Sequence, residues 1–329
     1  MHLADRIDAQ DGFVARPYRG PEDHADMARV LNAHYADHEE DGVEFTAASF
    51  DREENPDECD LSTDLVMIED LTGRTVAYTR TVRVEVPSGL DCIIHLACEP
   101  GLLTAELHDA VVRAGEAHAV GRSRIPDRLR IYCPHPGPDD TPTGRAAWLE
   151  ALDYEPTEWS ASLLRPHLDD IPNLALPDGV EVRPVDESQL REILTAHHEC
   201  FRGEWDFTES SDRLFEMILD DVRRDHTLWQ VAWAGDTIVG QVKPFIDHRA
   251  NEQYGRKRGY PEHISTHADW RNQGIAGALL ARSLRVLRDR GMTEAMLGVD
   301  TNSPGGALHL YTRLGFEPVS FEAVYTKAL

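Results

Sequence analysis

Small and apolar residues recur at helical spacing late in the chain: Ala276, Leu279, Leu280, Ser283, Leu284 and Leu287 fall on one face of a predicted amphipathic helix. Just before it, EHISTHAD from Glu262 alternates enough to predict a strand, so Gly274 and Gly277 stand at a strand-to-helix junction. Other patterned segments come in pairs. VARPYRGPEDHADMARVLNAHY from Val14 is answered by VRPVDESQLREILTAHHECF from Val182, each a short strand, an Arg-Pro, a polar turn and an amphipathic helix. LVMIEDLTGRTVAYTRTVRV from Leu65 is answered by LWQVAWAGDTIVGQVKPFI from Leu228, each a strand, a glycine-centred turn and a second strand. ALDYEP from Ala151 is answered by RLGFEP from Arg313. Three matches in the same order predict two α/β domains of one fold, residues 1–165 and 180–329. The proline-rich stretch over 166–179 is the expected linker.

Composition narrows the function. The 329 residues are 41% hydrophobic and 28% charged, and no run approaches the ~20 apolar residues of a membrane span. The opening MHLADRIDAQDG lacks the apolar stretch of a signal peptide, so a cytoplasmic protein with no membrane partner is expected. A formal net charge of -26 opposes nucleic-acid binding, which rests on Lys and Arg meeting phosphates. The same field favours basic, amine-bearing substrates. Cys59, Cys92, Cys98, Cys133 and Cys200 form no CxxC pair and are odd in number, which suggests neither a disulfide framework nor a zinc site. On a helix only His197 and Cys200 of HHEC share a face, and two ligands do not make a site, so no metal is expected.

Why glycines open a helix has two answers. A strand-to-helix junction exposes unpaired N–H groups at the positive end of the helix, and absent side chains let an anion approach them. Alternatively, Gly274 and Gly277 only permit tight packing of helix on strand.

Arg271-x-x-Gly274-x-Ala276 resembles the Arg/Gln-x-x-Gly-x-Gly/Ala pyrophosphate loop of the GNAT (N-acetyltransferase) superfamily. Downstream, TEAMLGVDTNSPGGALHLYTRLGFEP from Thr293 resembles the family's next strand and last catalytic segment, with Asn302, Ala307, Tyr311, Gly315 and Phe316 at matching positions. The spacing from Asn302 to Ala307 is longer than the family's commonest form. The tandem arrangement is similar to that of mycothiol synthase-like two-domain acetyltransferases.

The resemblance implies two mixed, mostly antiparallel twisted sheets flanked by helices, and acetyl-CoA as co-substrate. It implies transfer of the acetyl group to a primary amine, small or peptide-borne, by direct attack in a ternary complex. Tyr311 takes the role of acid toward the departing thiolate, and Glu262, nine residues before Arg271, that of base. The backbone of Thr266, His267 and Ala268 aligns the pantetheine arm. Arg271 and the amides of Gln273, Gly274, Ile275, Ala276, Gly277 and Ala278 meet the diphosphate, and Asn302 is a further coenzyme contact. Trp205 with Glu204, in the loop after the first helix of the second half, can receive a cationic amine through ring and charge. His263 is expected to point away from Glu262 if the strand is regular.

In the first half, HLACEPGLLTAELHDAVVRAG from His95 lies opposite the loop but lacks its motif, and Leu149 falls where Tyr311 stands. That half is expected to bind no coenzyme A. Two fused copies mimic the dimer of single-domain relatives, so a monomer is expected. The alternative is a non-catalytic acyl-CoA-binding or interaction module, which has no need of an acid beside sulfur.

Overall fold

The computed structural model describes residues 2–7, 12–37, 45–51, 57–202, 215, 224–301 and 307–329. The chain forms two compact units, Met1–Trp159 with Phe321–Leu329, and Ser160–Ser320.

In the first unit, strands β1 (Phe13–Pro17), β2 (Leu65–Asp70), β3 (Thr75–Val86), β4 (Gly89–Cys98) and β5 (Arg128–His135) lie side by side in that order. Their pairings are antiparallel except β4 with β5, which run parallel from Asp91↔Arg128 to Ile93↔Arg130. The C-terminal strand, Glu317–Ala328, completes this sheet through Phe321–Ala328, which pair with β5. Alternation along the strands sorts side chains between two helices. Leu65 and Met67 pack with Met27 and Val30 of α1 (His24–Asp37), while Val66 and Ile68 pack with Leu107 and Val111 of α2 (Ala105–Val120). A short helix, α3 (Arg145–Glu150), leads towards β6 (Glu155–Arg165).

The second unit repeats the plan. Its sheet takes Ser160–Arg165 of β6 beside β11 (Glu294–Asp300), followed by β10 (Arg258–Thr266), β9 (Thr237–Phe245), β8 (Gln230–Ala234) and β7 (Val180–Arg183). Again one neighbouring pair is parallel, β10 with β11, and the others are antiparallel. On one face, Ile193 and Leu194 of α4 (Leu190–Glu199) pack on Trp229, Val231 and Trp233. On the other, Ile275 and Leu279 of α6 (Ile275–Asp289) pack on Ala232, Val239 and Val242. Between them in the chain is α5 (His248–Gln253), and α7 (Ala307–Arg313) precedes the final strand. Each fully buried Leu or Ile in these layers contributes about 1.5–3 kcal/mol. The helix expected from the spacing of Leu279, Leu280, Leu284 and Leu287 is α6, and all four are buried.

Among the described residues, no helix is long and apolar enough to cross a membrane, and no group of three or more His, Cys, Asp or Glu could hold a metal ion. All five cysteines are free thiols.

Candidate active site

The site of the second unit begins with an irregularity in β10. Glu262 pairs with Lys243 and Ser265 with Gln241, so β10 carries one residue more than β9 between these points. The surplus is a bulge, and His263 there adopts φ 53°, a left-handed conformation. The regular strand expected through Glu262 and His263 is therefore interrupted. His263 is exposed, and its ring meets that of His197 edge-on at 5.7 Å.

On its other side β10 pairs with β11 at Arg258↔Glu294 and Gly259↔Ala295. Beyond this point the Glu262 carboxylate takes the place of a backbone acceptor: Oε1 accepts a hydrogen bond from the Gly298 amide at 2.9 Å. A strand ladder that gives way to a side-chain bridge leaves a gap between strands. Glu262 keeps part of its surface open, yet protein atoms crowd its carboxyl, and this desolvation pushes it up to about 7.

Tyr311, on α7, is buried at 6% exposure and meets Phe316 edge-on at 6.3 Å. Burial first, and then the charge of Glu262, push its phenol up to about 12. The structure thus brings together the two residues named as acid and base, each with its proton affinity raised. The C-terminal end of α7 is held by Arg165, whose guanidinium donates to the Leu314 carbonyl and, through Nε, to His167 O at 2.8 Å.

At the junction ahead of α6, Asn272 (φ 61°) and Gly274 (φ 83°) are both left-handed. Gly274 is the N-cap, and no side chain caps the helix. Left-handed turns next to an uncapped helix N-terminus point successive amides into one concavity, a nest for an anion. A Cβ on Gly274 would meet nothing within 4 Å, whereas one on Gly277 would lie 3.3 Å from Leu310 and 3.4 Å from Leu174. Tight packing accounts for Gly277 but not for Gly274, which the backbone conformation and the open space in front of it explain. Ile275 and Ala278 are buried and Ala276 is half-buried, so what this turn offers a ligand is backbone.

Arg271 donates to Cys200 O at 2.8 Å and Thr266 O at 3.4 Å, which ties the end of α4 to the end of β10. Gln273 donates to Asp269 O at 3.3 Å. Thr266 ends β10, and the His267 amide bonds Val239 O at 3.1 Å while its ring caps Asp269 N. Ala268 opens a single 3-10 turn. Asn302, Trp205 and Glu204 lie outside the described residues.

Sequence reasoning missed the polar cluster beneath the bulge. His197 Nδ1 and Ser265 Oγ are 2.9 Å apart, and Gln241 donates to Ile193 O at 3.0 Å. Lys243 is 4% exposed with its ammonium 5.8 Å from the centre of the Trp229 ring. Burial drives Lys243 down to about 7 and His197 well below its ordinary value, so both are close to neutral or neutral at physiological pH. A lone lysine inside the apolar run TIVGQVKPF was the signal available.

The first unit differs at each corresponding place. Counted from the first parallel pair, His95 stands where Glu262 does, and the β3–β4 ladder runs from Ala77↔Cys98 to Val86↔Gly89 without a bulge. α2 is capped by its own Thr104, whose Oγ1 accepts from Leu107 N at 3.2 Å. The Glu99 carboxylate sits nearby in ion pairs with Arg29 and Arg74. Leu149 fills the position of Tyr311, and the same turn follows in both units, Tyr154 N to Leu149 O and Phe316 N to Tyr311 O, each 3.1 Å.

A mostly antiparallel sheet, one parallel strand pair that stops short of Glu262, and an uncapped glycine turn ahead of α6 characterise the second unit. Residues 190–316 match the model of the Acetyltransferase (GNAT) family. Three solved structures share the fold over nearly the whole chain. A GCN5-related N-acetyltransferase from Sphaerobacter thermophilus is 23% identical, covering 97% of this chain and 96% of that one with a TM-score of 0.66. A tandem GNAT protein from the clavulanic acid biosynthesis pathway is 15% identical, covering 96% and 98% with a TM-score of 0.66. N-myristoyltransferase from Saccharomyces cerevisiae, with bound myristoyl-CoA and inhibitors, is 12% identical, covering 100% and 84% with a TM-score of 0.57. At these identities the likeness is one of fold. No curated protein matches the chain.

Proposed function

We propose that the second unit transfers the acetyl group of acetyl-CoA to a primary amine by direct attack in a ternary complex. The observation that carries this reading is the nearness of Glu262, just past the β10–β11 pairing, to Tyr311, whose phenol feels its charge, with an uncapped, left-handed glycine turn at the helix that follows.

The turn fits a diphosphate. A side chain at Gly274 would fill space that is otherwise open, and the amides from Gln273 to Ala278 offer donors without a competing carboxylate cap. Acetyl-CoA supplies the thioester. Thr266 to Ala268 end the strand that borders the gap and are suited to align an extended pantetheine arm. Asn302 and the pair Trp205 and Glu204 remain proposals for coenzyme and acceptor contacts.

Glu262 accepts the proton of the acceptor ammonium, directly or through water. Its raised proton affinity matches a base that operates near neutral pH. Tyr311 stays protonated throughout the physiological range and donates to the departing sulfur. Buried donors beside the reacting carbonyl stabilise the developing oxyanion more than they would in water. The first unit, with Glu99, the capped α2 and Leu149 at the matching places, binds no coenzyme in this reading. The acidic surface suits a basic acceptor, and we assign the protein to the cytoplasm as a monomer.

Calorimetric titration with acetyl-CoA tests this reading, with the Gly274→Trp variant as control. The expected result is one site per chain, lost in the variant, followed by amine-dependent thiol release. Absence of binding refutes it. Binding without thiol release across a broad amine panel leaves a coenzyme-binding module instead.

A further inference from the structure

The first unit holds a cavity of about 440 Å³, within the range of small-molecule sites. Its floor is the α1 face of the sheet, where Tyr78 and Arg80 of β3 stand opposite Ala97 and His95 of β4. Leu31 and Tyr35 of α1 and Phe50 close it from above. The lining is therefore largely aromatic and aliphatic, and His95 is driven down to about 4 by burial and by the charge of Arg80, so it is neutral.

Among the polar groups of the lining stands Arg145, the first residue of α3. Its Nε is shielded from solvent, and among the described residues it has no hydrogen-bond partner and its guanidinium makes no ion pair. Its charge is felt by the buried Cys98, Cys133 and His108, which places it against the interior rather than in bulk water. Arg145 is half-buried and lines the cavity, and the terminal nitrogens of a guanidinium offer a carboxylate paired hydrogen bonds. Glu322 also lines the cavity, yet Arg145 is unpaired. Two guanidiniums, Arg80 and Arg145, and one carboxylate, Glu322, line the cavity, and the one positive charge in excess matches a monoanion better than a phosphate dianion.

We propose that the first unit binds a small aromatic carboxylic acid in this cavity, with the carboxylate on Arg145 and the ring against Tyr78 under Tyr35 and Phe50. This site is independent of coenzyme binding in the second unit. A unit without the coenzyme turn, the bulge and the tyrosine thus retains a ligand chamber, and His95 in place of Glu262 leaves it without a carboxylate base at that position.

The test is ligand-observed NMR followed by calorimetry on the full chain, using 3-phenylpropionate, indole-3-acetate and salicylate, each with its uncharged amide. The expected result is one site per chain for at least one acid, bound at least about tenfold more tightly than its amide, a difference of about 1.4 kcal/mol. Arg145→Gln should reduce that acid to the level of its amide, and Leu31→Trp should abolish both by filling the space. Neither variant should alter the acetyl-CoA titration, which also reports that the chain is folded. Failure of every acid to bind, equal affinity of acid and amide, or undiminished acid binding in Arg145→Gln overturns the proposal.

Discussion

Glu262 and Gly298 are joined by a hydrogen bond in which the carboxylate replaces the backbone acceptor that a continued β10–β11 ladder would supply. One interaction therefore fixes the Glu262 carboxylate where the ladder stops.

Because a base acts in its deprotonated form and Glu262 is pushed up to about 7, kcat/KM should fall as pH drops below about 7. Glu262→Gln should lower kcat by roughly 100-fold or more and remove this limb. A pH–rate profile unchanged in the variant assigns the base elsewhere.

The same residue has an opposite effect on stability. Its folded value of about 7 lies above the ordinary 4.5, so the folded state binds more protons between these values, and stability falls as pH rises through the interval. Glu262→Gln keeps an acceptor for the Gly298 amide without the buried charge. It should unfold at a higher temperature than the parent at pH 8, by the equivalent of about 1–3 kcal/mol, and show no such gain at pH 4. Thermal unfolding at the two values checks this.

Tyr311→Phe removes the hydroxyl proposed to donate to the leaving sulfur but leaves the ring that packs on Phe316. Turnover should fall by about 10–100-fold while the calorimetric affinity for acetyl-CoA stays within about twofold. Since burial and the Glu262 charge push the phenol up to about 12, Tyr311 should add no alkaline limb below about pH 11.

Lys243 provides a prediction of the other sign. Its folded value of about 7 lies below the ordinary 10.5, so the unfolded chain binds more protons between them, and stability rises with pH across that range. Lys243→Met fits an apolar side chain into the same place beside Trp229. It should raise stability at pH 7 by about 1–3 kcal/mol and flatten its dependence between pH 7 and 10, as denaturant unfolding would show.

Much of this was legible in the linear chain. Helical spacing of Leu279, Leu284 and Leu287 reflects burial on one face, and paired segments around Arg16-Pro17 and Arg183-Pro184 reflect a duplicated fold. Gly274 was recognisable because a left-handed turn ahead of a helix demands a residue without a Cβ. Local periodicity and backbone preference act over a few residues and so are written in the sequence.

Other features depend on contacts between distant segments. The bulge at His263 is set by the mismatch between β10 and β9, and strict alternation along EHISTHAD conceals it. That Phe321–Ala328 completes the sheet of the first unit, while Ser160–Arg165 lies beside β11, follows from strand pairing rather than from repeat order. Lys243 and His197 are shifted only because other segments bury them, and Arg145 is conspicuous only when its surroundings are known. The paired segments, the α6 helix and the glycine turn are readable from the linear chain because they rest on local physics. The tertiary structure alone decided the gap, the raised proton affinities and the chamber of the first unit, because desolvation and strand register are properties of the assembled neighbourhood.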